Sequence, residues 1–216
     1  MKKSLILPIA FAAIFVLAAA HRSQAQLIVQ NPGFNDLTGL STDIPGLWYG
    51  GIPAGWAGND SAFTVREFDP VSPTGNYVAN LNTLSKTTPA FIALRQAVGT
   101  LDAAGIITLS INVIDLSPPP GGFTMSMGIF DTKNSSNYAD WTALALPPAS
   151  IATTGFHTLS TSVSIDAGTP IGIGLWADSG APGIDNVTVV PEPSTYALLG
   201  LGAAGLGAHL VRRRRR

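Results

Sequence analysis

The sequence predicts an all-β fold, an antiparallel β-sandwich, from three observations. The first is a period of two. In "HTLSTSVSI", Leu159, Thr161, Val163 and Ile165 face one way, and Thr158, Ser160, Ser162 and Ser164 the other. Successive side chains of an extended chain point to opposite faces, so this run reads as a half-buried strand. The second is that no stretch from Leu27 to Val189 sustains a helical repeat. The third is punctuation: 23 glycines and 16 prolines keep the apolar runs short. Short half-buried strands at this spacing argue for a sandwich.

The strands follow in order. Leu27–Gln30 opens the series, then Ala62–Phe68, Asn76–Leu81 and Phe91–Val98. "IITLSINVI" sets Ile107, Leu109, Ile111 and Val113 on one side. "SPPPGG", from Ser117 to Gly122, is a loop, because consecutive prolines cannot donate to a ladder. "FTMSMGIF" aligns Phe123, Met125, Met127 and Ile129, and "PIGIGLWAD" sets Ile171, Ile173 and Leu175 against Gly172, Gly174 and Trp176. Ile184–Val189 is the last strand.

Charge and cysteine narrow the function. Between Gln26 and Val190 there are four Lys and Arg and twelve Asp and Glu, so the net charge is 4 − 12 = −8. That balance opposes nucleic-acid binding, which needs cations at phosphates. It suits an outward-facing domain or one that holds Ca²⁺. Cysteine is absent, which removes disulfides, thiolate metal sites and cysteine catalysis. A domain of this size, about 165 residues, buries enough core without such staples.

The two ends have a different character. Lys2 and Lys3, the apolar Leu5–Ala20 and the small residues of Ser23-Gln24-Ala25 form a secretory signal with cleavage after Ala25. The alternative is an uncleaved N-terminal anchor. Residues 1–25 are thus signal, 26–189 the sandwich and 190–216 a separate tail. Within the tail, Thr195 to Val211 is an uncharged run of 17 residues. As a helix it reaches about 25 Å, close to a bilayer core. Arg212, Arg213, Arg214, Arg215 and Arg216 follow it and favour the cytoplasmic side, which leaves the sandwich outside.

Val190-Pro191-Glu192-Pro193-Ser194-Thr195, then the apolar run and the arginines, resembles the PEP-CTERM sorting signal of Gram-negative bacteria. The resemblance implies processing of the tail by an exosortase, a membrane enzyme. It also implies a transient inner-membrane anchor with the domain periplasmic, then delivery to the cell surface or medium. Carriers of such tails are linked to exopolysaccharide and biofilm matrix. Pro191 and Pro193 keep the motif extended and out of the helix.

"NPGFND", "PAGWAG", "LRQAV" and "GIDNVTVV", in that order, resemble a galactose-binding-like jelly roll, a fold shared by many carbohydrate-binding modules. A sandwich of other topology is the alternative. The resemblance implies adjacent first and last strands and a structural Ca²⁺ between them. Asn35, Asp36 and Asp185 are its candidate ligands, although Asn35 and Asn186 stand where the family usually has carboxylates. Calcium takes six to eight oxygens.

The aromatics Trp48, Tyr49, Tyr138 and Trp141 fall in or beside loops. Flat rings can stack on a sugar's C–H face while Asn and Asp bind its hydroxyls, or they can cap the core. Trp56 reads as core. Trp176 shares its strand face with two glycines, which leave either a shallow groove or a close-packed sheet. No catalytic set is evident: His157 opens a polar strand, and Glu67 with Asp69 precedes Pro70 at a turn. The expected function is therefore a non-catalytic, surface-sorted matrix protein that binds extracellular polysaccharide through its sandwich. A ligand-free structural protein and a glycan-acting hydrolase are the alternatives.

Overall fold

The computed structural model describes residues 27–44, 48–58, 63–67, 77–81, 94–116, 121–146, 148–151 and 155–192, with Gly202, Gly205 and Gly207. Thirteen strands lie among them. These are β1 (Ser41–Ile44), β2 (Trp48–Gly50), β3 (Ala57–Gly58), β4 (Phe63–Glu67), β5 (Tyr77–Leu81) and β6 (Leu94–Thr100). Then come β7 (Gly105–Asp115), β8 (Phe123–Asp131), β9 (Thr142–Ala145), β10 (Pro148–Ile151), β11 (His157–Ile165), β12 (Pro170–Ser179) and β13 (Pro182–Pro191). One sheet has the order β1-β2-β4-β5-β13-β7-β11; the other is β10-β8-β12-β6-β3, with β9 also on β8. Every pairing is antiparallel. The all-β sandwich expected from the alternation is what forms.

The inner faces are those the period of two selects. Ile107, Leu109, Ile111 and Val113 of β7 meet Phe123, Met125, Met127 and Ile129 of β8 and Ile171, Ile173 and Leu175 of β12 in one buried cluster. Fully burying a side chain of this type stabilises the fold by about 1.5–3 kcal/mol. On β11 the edge position leaves Leu159 and Val163 only half-buried, while Ile165 is buried. Asp115 closes the β7–β8 connection by accepting the Gly122 N–H at 2.7 Å.

Strand β13 carries a bulge between Asp185 and Thr188. Its inward residues are Ile184, Val187 and Val189, so the extra residue keeps the apolar side chains in phase with the core. Asn186 takes the left-handed turn at φ 49°, which asparagine tolerates better than most residues.

One expected strand is corrected. Leu27–Gln30 is in no sheet, and the strands that flank β13 are β5 and β7. The Ile28 N–H donates to the Val98 carbonyl at 2.9 Å. The next bonds go to a side chain: Gln96, 5% exposed, accepts from the Gln30 N–H at 2.7 Å through Oε1. Its Nε2 donates to the Gln30 and Gly55 carbonyls at 3.2 and 2.6 Å. A side-chain amide thus replaces the ladder and ties this segment to β6.

The expected tail helix, residues 195–211, lies almost wholly outside the described residues; Gly202, Gly205 and Gly207 are helical. Among the described residues no helix is long and apolar enough to cross a membrane. The signal segment, Pro193, Ser194, Thr195 and Arg212 to Arg216 also lie outside the described residues.

Candidate functional site

With Ile171, Ile173, Leu175 and Ala177 of β12 turned inward, Gly172, Gly174, Trp176 and Asp178 line the outer face of the six-stranded sheet. The chain after β8 folds back over that face. A short 3₁₀ turn, Tyr138–Asp140, is opened by the Asn137 side chain, which accepts the Ala139 N–H at 3.2 Å. The Trp141 N–H then donates to the Tyr138 carbonyl at 3.0 Å. The turn places both rings above the sheet.

Gly172 is the seat for Trp141. A Cβ built there would stand 2.6 Å from Cζ3 and 2.8 Å from Cη2 of the indole, and 2.7 Å from Thr132 Cγ2. The indole Nε1–H donates to the Ser135 carbonyl at 2.9 Å. Phe130 lies beside the indole with centroids 6.0 Å apart. The space over the β12 glycines is therefore filled, at Gly172, by Trp141. Next to it, the Arg95 guanidinium lies 4.1 Å from the centre of the Tyr138 ring, a cation–π contact. Arg95 is the partner of Gly174 across the β6–β12 ladder. Burial lowers the Arg95 pKa and Tyr138 opposes the shift; a guanidinium stays charged in either case.

Four residues along β12, about 13 Å at strand rise, stands the half-buried Trp176. It is opposite Ser126 of β8. The Ser126 hydroxyl donates to Asp178 Oδ2 at 2.9 Å. One face thus presents two indoles and a phenol ring, a cation, a carboxylate and hydroxyls. Rings for stacking and polar atoms for hydroxyls are what a carbohydrate surface requires.

The four aromatics expected to bind ligand do not converge. Tyr138 and Trp141 share the face just described. Trp48 and Tyr49 belong to β2, in the other sheet. Tyr49 packs edge-on to Tyr77 with centroids 5.9 Å apart and rests against the core. The Trp48 side chain lies outside the described residues. Arg95 was not foreseen. Its signal was present in "LRQAV", where Leu94, Gln96 and Val98 turn inward and Arg95 outward.

The segments of the candidate calcium ligands do meet: the Val187 N–H beside Asp185 donates to the Pro32 carbonyl at 2.9 Å. Asp185 is fully buried, and its Oδ1 accepts the Asn186 N–H at 2.7 Å. Asn35 and Asp36 are exposed. Asp36 closes its own turn, and hydrogen bonds from the Thr38 hydroxyl and amide hold its carboxyl below the usual range. No group of three His, Asp or Glu that could hold a metal occurs among the described residues.

Residues 189–216 match the family described as the PEP-CTERM protein-sorting motif. No curated protein matches the chain. Among solved structures, the CBM22-1 xylan-binding domain of Paenibacillus barcinonensis Xyn10C is 11% identical, with a TM-score of 0.45 over 65% of this chain and 88% of that one. TmCBM61, solved with β-1,4-galactotriose, is 17% identical, with a TM-score of 0.43 over 77% and 99%. The K1 cleaved adhesin domain of Lys-gingipain from Porphyromonas gingivalis W83 is 15% identical, with a TM-score of 0.43 over 66% and 94%. These likenesses are too loose to bring a ligand over to this chain.

Proposed function

We propose that the chain is a non-catalytic, surface-sorted protein of a Gram-negative bacterium. It is exported through residues 1–25, held briefly by its tail in the inner membrane, and released by an exosortase to the extracellular matrix. There the sandwich, residues 26–189, holds polysaccharide. One observation carries the binding reading: Trp141, seated on Gly172, shares the outer face of the six-stranded sheet with Tyr138, Arg95 and Trp176.

The test is co-sedimentation of the purified secreted protein with polysaccharide from the producing cells. Wild type should sediment, and Trp141→Ala should lose at least tenfold in affinity, with a cooperative melting transition well above the assay temperature excluding unfolding as the cause. Failure of the wild type to bind any matrix glycan would leave the ligand-free structural reading. Export has its own check. Mass spectrometry of the extracellular protein should show Gln26 at the start and none of Arg212 to Arg216. An intact arginine tail on released protein would leave the tail a plain anchor.

A further inference from the structure

The sorting motif begins inside the folded domain. Strand β13 does not end at Val189, as the sequence suggested, but runs on to Pro191, with Val190 opposite Thr108 and Pro191 opposite Ile107 of β7. Glu192 continues the pairing: its N–H donates to the Ile106 carbonyl at 2.8 Å. Its carboxylate is held as well, since Thr108 Oγ1 donates to Glu192 Oε1 at 2.8 Å. Thr108 Oγ1 also lies 2.6 Å from Ser162 Oγ of β11. Thr108 has one hydroxyl proton, and Glu192 receives it. Ser162 is therefore the donor to Thr108, and the three groups form one directed chain from β11 through β7 to the motif.

We propose that this face of the seven-stranded sheet is a docking site for the chain's own Pro-Glu step, and that docking withholds the motif from the processing enzyme. The proposal rests on the sorting function given above. A processing enzyme must contact the backbone and the carboxylate of the motif. Here the Glu192 N–H and one carboxylate oxygen are already bonded to the domain. Recognition then draws on the fraction of molecules in which this segment has left β7. Local opening at a strand end is governed by the few bonds made there, so each bond sets that fraction directly. β5 pairs with β13 only at Gly183 and Ile184, so among the described pairings the docked end is bonded on the β7 side alone. That end can leave without opening the core.

The experiment follows tail removal from the full chain in its native host, by pulse-chase. Thr108→Val deletes the hydroxyl at nearly constant shape and should speed processing about fivefold, the weight of one such hydrogen bond. Thr108→Ser keeps the hydroxyl and should retain the wild-type rate. Ser162→Ala should accelerate less, in the same direction. The converse arm joins the opposed positions as Thr108→Cys with Val190→Cys, a spacing a disulfide spans. With no other cysteine in the chain, the oxidised form should be processed several-fold more slowly than the same variant under reductant. Equal rates for wild type, Thr108→Val and the oxidised pair would overturn the docking proposal while leaving the sorting reading intact. If the wild-type tail is never removed, the sorting reading fails and amide exchange on the purified chain decides docking. Protection of the Glu192 N–H that falls in Thr108→Val upholds the site; exchange at the rate of an unstructured peptide removes it.

Discussion

Replacing Trp56 with alanine will lower the unfolding free energy by about 3–5 kcal/mol, the range for deleting a buried aromatic. Trp56 is 7% exposed and lies in the core cluster. Its ring stands 5.4 Å from that of Phe34, which is fully buried. The indole Nε1–H donates to the Asn31 carbonyl at 3.3 Å. The surrounding loop has little freedom to collapse into the space. Asn31 and Phe34 are both left-handed, at φ 46° and 54°. The Asn31 side chain also clips the backbone of Asp36, accepting its N–H at 3.0 Å and donating to its carbonyl at 3.1 Å. The alanine variant thus leaves a cavity and removes one of the two hydrogen bonds to the Asn31 carbonyl, which keeps the Phe34 N–H at 3.2 Å. Against a total stability of about 5–15 kcal/mol for a domain, such a loss decides whether the protein survives export. Urea unfolding of the secreted protein measures it, with a lower midpoint at unchanged slope. Trp56→Phe keeps most of the ring contact and should lose well under half as much. A loss below about 1 kcal/mol in Trp56→Ala would mean that the loop does not seal the core.

What the sequence reveals of this fold follows the range of the interactions involved. The inner faces of β7, β8 and β12 were legible because alternation over eight or more residues has only one way to meet a core. Leu27–Gln30 misled because its apolar pattern fits a strand, while the Gln30 backbone is bonded to the side chain of Gln96, 66 residues away. No local pattern encodes such a partner. The end of β13 was missed for a related reason. Proline usually marks a strand's end, but Pro191 is tolerated where only β7 pairs with the strand, as at a sheet edge. For the site, composition picked out Tyr138 and Trp141 as loop aromatics. It could not pair them with Arg95 or Gly172, because those contacts depend on the order β8-β12-β6. Nor could it separate them from Tyr49, which lies in the other sheet.

On the proposed function, Gly172→Val will weaken polysaccharide binding at least tenfold while every aromatic residue of the sequence is kept. Any Cβ at this position falls within 2.8 Å of two Trp141 ring carbons and of Thr132 Cγ2. Thr132 is buried, and its N–H is bonded to the Pro170 carbonyl at 2.9 Å, so it has little room to retreat. The indole, half-buried at the surface, is the group that must move. Leaving its seat costs it the Nε1 bond to Ser135 and the contact with Phe130. Overpacking of this kind destabilises by about 1–3 kcal/mol, which a domain of ordinary stability survives. The binding loss should be larger in proportion. A stacking ring turned away from the face should weaken affinity at least tenfold, or about 1.4 kcal/mol. Gly105→Ala supplies the control, since a Cβ there meets nothing within 4 Å, and both its stability and its binding should match wild type. Titration of the two variants against the glycan that wild type retains, with melting curves alongside, separates the outcomes. Wild-type affinity in Gly172→Val would show that the face over β12 is not where the sugar sits. A matched loss in Gly172→Val and Trp141→Ala, with both proteins folded, would locate binding at the indole that Gly172 seats.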